Sequence, residues 1–378
     1  MMSETKVKHV LGISGGKDSA ALSIFMAKKY PTLDIEYYTC DTGKELTETY
    51  DLIDRLNSVL GKKIRLYKSI DEDNSPRDNP FDHFLDLFGG YLPSPQARWC
   101  TKKMKIVPFE KQIGSQPTIS YVGIRGDEDR EGYISKRENI QSIFPFRKNI
   151  WSEDVMNKFM SNSNISNVNK YYSLLAPKDK LAVLESYINQ PISFSFTQSQ
   201  KISALIDVDV KLFNKVVFEF LKTTDYPVGK LNYFPLVDDD ELVTIDEVFN
   251  ILKKSGVGIP AYYKPIEYKV EIDGVIKTGK YSRSRSGCFF CFYQQKIEWV
   301  WLLEQHPRLY SEAMKYEKEG YTWSEEPLAE LSKPDRVKAI KKEHFLRMKR
   351  QESKTKSDTS WQDAILDAEG EGCASCFI

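Results

Sequence analysis

Histidine is scarce in this chain. Four in 378 residues leave little material for imidazole catalysis. No apolar run is long enough to cross a bilayer, and the opening MMSETKVKHV does not read as a signal peptide. The expectation is therefore a cytoplasmic protein with no membrane partner. A surplus of either charge is also missing, since Lys+Arg and Asp+Glu each number 54. A protein that grips DNA unaided carries a clear basic excess, so contact with nucleic acid here would be local or shared with a partner protein. Cysteine is limited to six residues. In a cytosolic protein these point to metal, cluster or redox chemistry rather than structural disulfides. Cys288 and Cys291 form one C-x-x-C pair, Cys373 and Cys376 another, and Cys40 and Cys100 stand alone.

Against this background one stretch stands out: Ser14-Gly15-Gly16-Lys17-Asp18-Ser19. It follows an apolar run, 7–13, and opens a helix-like run, 20–29. A strand that turns through two glycines into a helix is a phosphate-binding arrangement. Glycines let the backbone approach an anion, and a helix N-terminus offers unpaired N–H groups and partial positive charge. Lys17 adds a cation, and Ser14 and Ser19 add hydroxyl donors. The spacing is neither that of a Walker P-loop nor that of a dinucleotide fold. It resembles the signature of the PP-loop ATP pyrophosphatases, which split ATP between the α and β phosphates.

Strands are expected at 7–13, 35–39, 64–67 and 119–124, with helices at 18–30 and 45–60 between them. The alternation predicts an α/β fold with a doubly wound parallel sheet. Ligands of such sheets lie beyond the strand C-termini. That rule gathers the glycine loop, Cys40-Asp41-Thr42-Gly43 and Gly123-Ile124-Arg125 around one crevice. Length predicts two or three domains. Residues 1–150 read as the nucleotide-binding core and 151–230 as an inserted helical module, either a spacer or a docking surface. Residues 231–330 continue the core and carry Cys288-x-x-Cys291, and 331–378 hold a basic helix and a Cys-containing tail. A hairpin is expected at 262–281, turning at Asp273-Gly274, and helices at 244–254 and 294–317, the latter broken at His306-Pro307. Segment 333–356, with ten Lys/Arg against three Asp/Glu, reads as a solvated helix face or a nucleic-acid contact.

Further motifs widen the resemblance. Cys100-Thr101 with Lys105 resembles the C-T-x-x-x-K segment of the phosphoadenosine-phosphosulfate (PAPS) reductase family. Asp41-Thr42-Gly43 resembles its D-T-G. Gly123-Ile124-Arg125-Gly126-Asp127-Glu128 followed by Arg130 resembles its G-I-R-x-D-E-S-x-x-R, with the serine absent and the arginine early. Ser286-Gly287-Cys288-Phe289-Phe290-Cys291 resembles the S-G-C-x-x-C of a subgroup that includes the DNA phosphorothioation ATPases. These matches cover 7–150 and 233–316 and leave the insert outside. They imply a Rossmann-like adenine nucleotide α-hydrolase fold that binds ATP and Mg²⁺.

Each candidate residue has a physical role to test. Backbone N–H groups of Gly15, Gly16 and Lys17, with the hydroxyls of Ser14 and Ser19, would hold the β and γ phosphates. Lys17 would offset charge on the leaving pyrophosphate. Asp18 either helps hold Mg²⁺ or is a first-turn helix carboxylate. Asp41 suits ribose, adenine or Mg²⁺, and Gly123 belongs to the crevice wall. Arg125, and less directly Arg130, offer a fork of donors to the phosphates, or else pair within the acidic run 127–131. Cys288 and Cys291 can reach one metal, and Cys100 is expected nearby. Three cysteines with an open position suit a [4Fe–4S] cluster. Zinc and a bare thiol pair are the alternatives, with Cys40, Cys373 or a non-cysteine group as a fourth ligand. Trp299, Trp301 and Leu302 are expected as core rather than as a base-stacking platform, and His306 as a helix-end residue.

The function expected from these features is an ATP pyrophosphatase that adenylates a nucleic-acid acceptor, the DNA backbone phosphate, for sulfur insertion in an antiphage phosphorothioation system. A cysteine desulfurase would donate the sulfur, alongside other modification-system proteins, with DNA reached through the complex. Alternatives are a sulfonucleotide reductase, a tRNA- or base-modifying PP-loop enzyme, and a nucleotide-sensing scaffold. In the tail, Cys373 or Cys376 could carry persulfide sulfur, although the Glu-Cys-Gly-Leu-His ending of PAPS reductases is missing.

Overall fold

A computed structural model of the chain describes residues 6–70, 79–128 and 134–354. Arg130, Cys373 and Cys376 lie outside the described residues. The centre is a five-stranded parallel sheet in the order β3-β2-β1-β4-β5. Its strands are β1 (Lys8–Gly12), β2 (Ile35–Thr39), β3 (Arg65–Leu66), β4 (Thr118–Tyr121) and β5 (Ile140–Ile143). β1 sits in the middle, with Leu11 opposite Tyr37 of β2 on one side and Tyr121 of β4 on the other. Val10 and Leu11 have no exposed surface, as a strand covered on both faces requires. The chain winds outward through β2 and β3, then returns to place β4 against β1. The order therefore reverses between β1 and β4, and the switch-point crevice lies beyond Gly12 and Tyr121.

The expected α/β class and the first four strands are present. β5 is the strand that periodicity missed. Its sequence, Ile-Gln-Ser-Ile, is buried throughout, so polar side chains occupy interior positions and no alternation marks it. Gln141 is accommodated because its Oε1 accepts the Val228 N–H at 2.9 Å.

Helices cover the sheet. α1 (Lys17–Lys29) follows β1 directly, α2 (Thr47–Leu60) follows β2, and α3 (Pro80–Leu87) begins with a proline at its first turn and an Asn79 cap. A short α4 (Trp99–Thr101) runs through a π-helical turn, Lys102–Ile106, into α5 (Val107–Ile113). The 151–230 stretch holds five α-helices among the described residues: α6 (Glu153–Phe159), α7 (Ile165–Leu175), α8 (Lys178–Asn189), α9 (Gln198–Val208) and α10 (Val210–Leu221). Their buried faces join one hydrophobic cluster with β1, α1 and α2. α11 (Ile245–Lys254) packs on α1.

A second cluster assembles the remainder. It joins α3 and Trp99 to the hairpin β6 (Ile266–Ile272) and β7 (Val275–Tyr281), and to α12 (Lys296–Gln305), α13 (Pro307–Tyr316), α14 (Leu328–Leu331) and α15 (Pro334–Lys354). The hairpin turns at Asp273 (φ 51°) and Gly274 (φ 76°), the left-handed pair that matches strand twist. Phe290 lies 4.5 Å from Phe81 and stacks on Trp323 at 4.7 Å. This packing carries the segment bearing Cys288 and Cys291 onto the Cys100 side of the sheet. Trp299, Trp301 and Leu302 are core, as expected. Part of the basic charge around α15 is paired within the protein: Lys333 just before it, and Arg336, Lys338 and Lys341 within it, face carboxylates. Among the described residues no helix is long and apolar enough to cross a membrane.

Because the 151–230 helices share a cluster with the sheet, they should not melt separately. Phe213, fully buried and edge-on to Phe159, tests this. Phe213→Ala is expected to cost about 3–5 kcal/mol. Calorimetry should show one shifted transition rather than early loss of helix with the sheet retained.

Candidate functional site

The loop between β1 and α1 is held open by its own side chains. Ser14 N–H donates to Ser19 Oγ at 3.2 Å, the two hydroxyls are 3.2 Å apart, and Ser19 Oγ donates to Gly16 O at 3.3 Å. Gly15 adopts φ 75°, and a Cβ there would lie 2.2 Å from Thr49 Cγ2 on α2. Only glycine meets both conditions. Gly16 caps α1 in extended conformation. Among the described residues the N–H groups of Gly15 and Gly16 have no hydrogen-bond partner. The loop thus presents paired hydroxyls and backbone donors at a helix N-terminus, an arrangement for an anion.

The charged residues form a buried network. Lys17 and Arg125 have no exposed surface, and Asp18 almost none. Asp18 lies between them, with Oδ2 2.9 Å from Lys17 Nζ and Oδ1 2.7 Å from Arg125 Nη1. Arg125 also pairs with Asp127 at 3.0 Å and Glu128 at 2.6 Å. The structure therefore shows the pairing of Arg125 within the acidic run, and through Asp18 ties it to the start of α1. Burial alone would raise the Asp18 carboxyl, but the charges of Lys17 and Arg125 outweigh it and hold the group well below the usual carboxylate range. Gly123 makes the approach of β4 possible, since a Cβ there would lie 3.0 Å from Asp18 O.

Asp41 stands at the C-terminal end of β2, half-buried. Its Oδ1 accepts the Gly43 N–H at 2.7 Å and the Tyr50 hydroxyl at 2.9 Å. The same loop reaches the cysteine segment. Thr42 Oγ1 lies 3.2 Å from Cys288 Sγ and donates to Glu45 Oε1 at 2.9 Å. Glu45 and Cys288 pair as a β-bridge, and Phe289 N–H donates to Lys44 O at 3.0 Å.

Cys100, Cys288 and Cys291 line one cavity of about 60 Å³, with Thr42, Lys105 and an aromatic wall of Phe81, Phe290, Phe292 and Tyr293. The structure brings together three thiols that are far apart in sequence, and all are free. Burial pushes the Cys100 thiol up to about 11, reinforced by Cys291, and pushes Cys288 and Cys291 upward as well. Lys105 acts in the opposite sense on all three. Cys40 is not in this wall. It is buried beside Lys105 O and pushed up to about 12 by that burial. Among the described residues no three His, Cys, Asp or Glu side chains meet as ligands of one metal ion.

Sequence reasoning missed the residues that cover the loop. Tyr262 donates its hydroxyl to Gly15 O at 2.8 Å, and the Tyr263 hydroxyl accepts the Lys17 N–H at 3.4 Å with its ring 5.3 Å from Lys17 Nζ. Ser286 packs on Gly16, its Oγ 2.7 Å from where a Cβ would be. Arg283 is fully buried and donates to Cys288 O at 3.1 Å. Ser284 is anchored by Glu298, which accepts its N–H at 2.6 Å and its hydroxyl at 2.8 Å. No local motif marks Tyr262 or Tyr263, because they meet a loop some 250 residues earlier, and none marks Arg283, which joins Tyr262 to Cys288.

Residues 8–173 match the family model described as the phosphoadenosine phosphosulfate reductase domain. The match takes in the glycine loop, Asp41, Cys100 and Arg125, and ends before Cys288 and Cys291. Among the curated proteins nothing matches the chain.

The Asp18 network makes a pH-dependent contribution to stability. With the carboxyl depressed in the folded state, that contribution is complete above the ordinary carboxylate range and lost as pH falls below it. Asp18→Asn would leave Lys17 and Arg125 buried without that counter-charge, at a cost of about 3–5 kcal/mol. Denaturant titrations from pH 7 down to pH 3 should show the wild-type advantage shrinking; a constant gap would contradict the assignment.

Proposed function

We propose that this chain is an ATP pyrophosphatase that adenylates a nucleic-acid phosphate for replacement of oxygen by sulfur. The PAPS reductase-like domain suggests a PP-loop, sulfonucleotide-related function. The observation that carries the finer reading is adjacency. Ser286 packs on Gly16 of the glycine loop and also lines the cavity of Cys100, Cys288 and Cys291. A site that activates phosphate and a site that carries thiols share one wall.

In this reading the N–H groups of Gly15 and Gly16, with Ser14 and Ser19, hold the β and γ phosphates. Lys17 and Arg125 offset charge as the bond between Pα and the bridging oxygen breaks. An acceptor phosphate oxygen forms the new bond to Pα, and pyrophosphate leaves. A sulfur nucleophile then attacks the adenylated phosphorus, and AMP leaves with the oxygen. Asp18 is committed to two cations, so Asp41 is the better fit for phosphate-bound Mg²⁺.

Two kinds of centre take thiolates. Zinc draws its donors to about 2.3 Å from a single point. An iron–sulfur cluster takes each thiolate at a different iron, and it is the reading taken here for three thiols that line one cavity. Cys100, Cys288 and Cys291 would hold it, and an iron left without a protein ligand would supply a place to bind sulfur. A cysteine desulfurase is the proposed sulfur source, with a thiol reductant supplying the two electrons that bring its persulfide sulfur to the sulfide level, and with DNA and further modification proteins as partners in the cytoplasm.

The match to the PAPS reductase domain favours a second reading, reduction of a sulfonucleotide to sulfite and a nucleotide by thiols. The two separate cleanly by product. With ATP, Mg²⁺ and acceptor DNA, the pyrophosphatase is expected to release AMP and pyrophosphate, and Lys17→Ala to abolish that release. Cys288→Ala should bind ATP normally and transfer no sulfur. ADP and phosphate as sole products would overturn the proposal, and sulfite release from a sulfonucleotide without ATP would establish the second reading.

A further inference from the structure

We propose that Tyr263 and Arg283 are positioning residues that link occupancy of the glycine loop to the reactivity of the cavity thiols. The inference rests on the reading that this loop binds polyphosphate.

A short chain of hydrogen bonds joins the two places. Tyr262 donates to Gly15 O at 2.8 Å. Its own carbonyl accepts the Arg283 N–H at 2.9 Å. Arg283 Nη2 in turn donates to Cys288 O at 3.1 Å. Two residues, Tyr262 and Arg283, therefore connect the glycine loop to a thiol-bearing peptide unit.

The loop end of this chain must change when an anion binds. Lys17 N–H donates to the Tyr263 hydroxyl at 3.4 Å, a long and weak bond. A phosphate oxygen seated on the α1 N-terminus competes for that donor, because one N–H serves one good acceptor. The loop has little room to yield on the other side, where Thr49 Cγ2 lies 2.2 Å from a Cβ built on Gly15. Displacement falls on the tyrosine segment instead. Ser286 adds a second contact with the same consequence, since it packs directly on Gly16.

The thiol end is built to move about a fixed point. Ser284 is tied to Glu298 by two hydrogen bonds, so a shift at Tyr262 pivots the residues that follow. Arg283 is fully buried, and its Nε and Nη1 have no hydrogen-bond partner. An unsatisfied buried guanidinium is costly and gives little static stability. It does hold spare donors with which to follow the Cys288 carbonyl. Cys288 and Gly287 line the cavity wall that would be rearranged.

The test uses the full chain, with Mg²⁺ and α,β-methylene-ATP as probe. Nucleotide binding is measured by equilibrium titration. The thiols are read in full-length protein purified without iron, in which Cys288 and Cys291 are free to react; their iodoacetamide labelling is followed by mass spectrometry, with Cys40 as reference. Saturation is expected to change the Cys288 labelling rate by about fivefold or more, the lower end of ordinary coupling between sites, and to leave Cys40 unchanged. Tyr263→Phe removes one hydroxyl and Arg283→Lys keeps the charge. Both are expected to bind nucleotide and to lose most of the change. Binding without any change at Cys288 overturns the inference. A full change in both variants overturns the roles of Tyr263 and Arg283. Absence of binding refutes the polyphosphate reading, and the link falls with it.

Discussion

The Asp18 carboxylate between Lys17 and Arg125 is the constraint on which the site depends. It joins the first turn of α1 to the segment after β4, across the point where the sheet order reverses. It is the carboxylate that both buried cations share, while Arg125 has Asp127 and Glu128 besides. Their burial also explains why the loop remains open: the charges face one another, while the backbone donors of Gly15 and Gly16 face the crevice.

A good deal of this was legible from residues alone. Val10 and Leu11 announce a buried strand, Gly15 a turn that only glycine can make, and Asp273-Gly274 a tight hairpin. The gathering of Gly123 and Arg125 beside the glycine loop follows from strand order, because parallel sheets place their strand ends together. Cys100 could be tied to Cys288 and Cys291 only through resemblance, since nothing local requires it. The physical link is the aromatic packing of Phe81, Phe290 and Trp323, which depends on tertiary structure.

What stayed hidden follows one pattern. β5 lacks alternation because Gln141 and Ser142 are buried, and Gln141 is held by a partner 87 residues away. Tyr262 and Tyr263 look like core residues in sequence, and by burial they are. Their two hydroxyls nonetheless reach the glycine loop. The ion pair between Lys17 and Asp18, neighbours at the start of α1, was likewise not legible in their order. Periodicity reports which face is buried and not what a buried polar atom finds there.

The thiols bring the two halves together. In an apolar cavity a thiol stays protonated, and burial raises Cys100, Cys288 and Cys291 alike. Such cysteines are inert until positive charge reaches them. Lys105 supplies a fixed share of that charge, and a bound metal centre would supply far more. Reactivity in this wall is therefore sensitive to small movements of charge and peptide groups. The Arg283 guanidinium lies behind Cys288 and is tied through Tyr262 to the glycine loop. In the proposed chemistry sulfur must not be released before its acceptor is activated, and the proposed link from Tyr262 through Arg283 to Cys288 would impose that order.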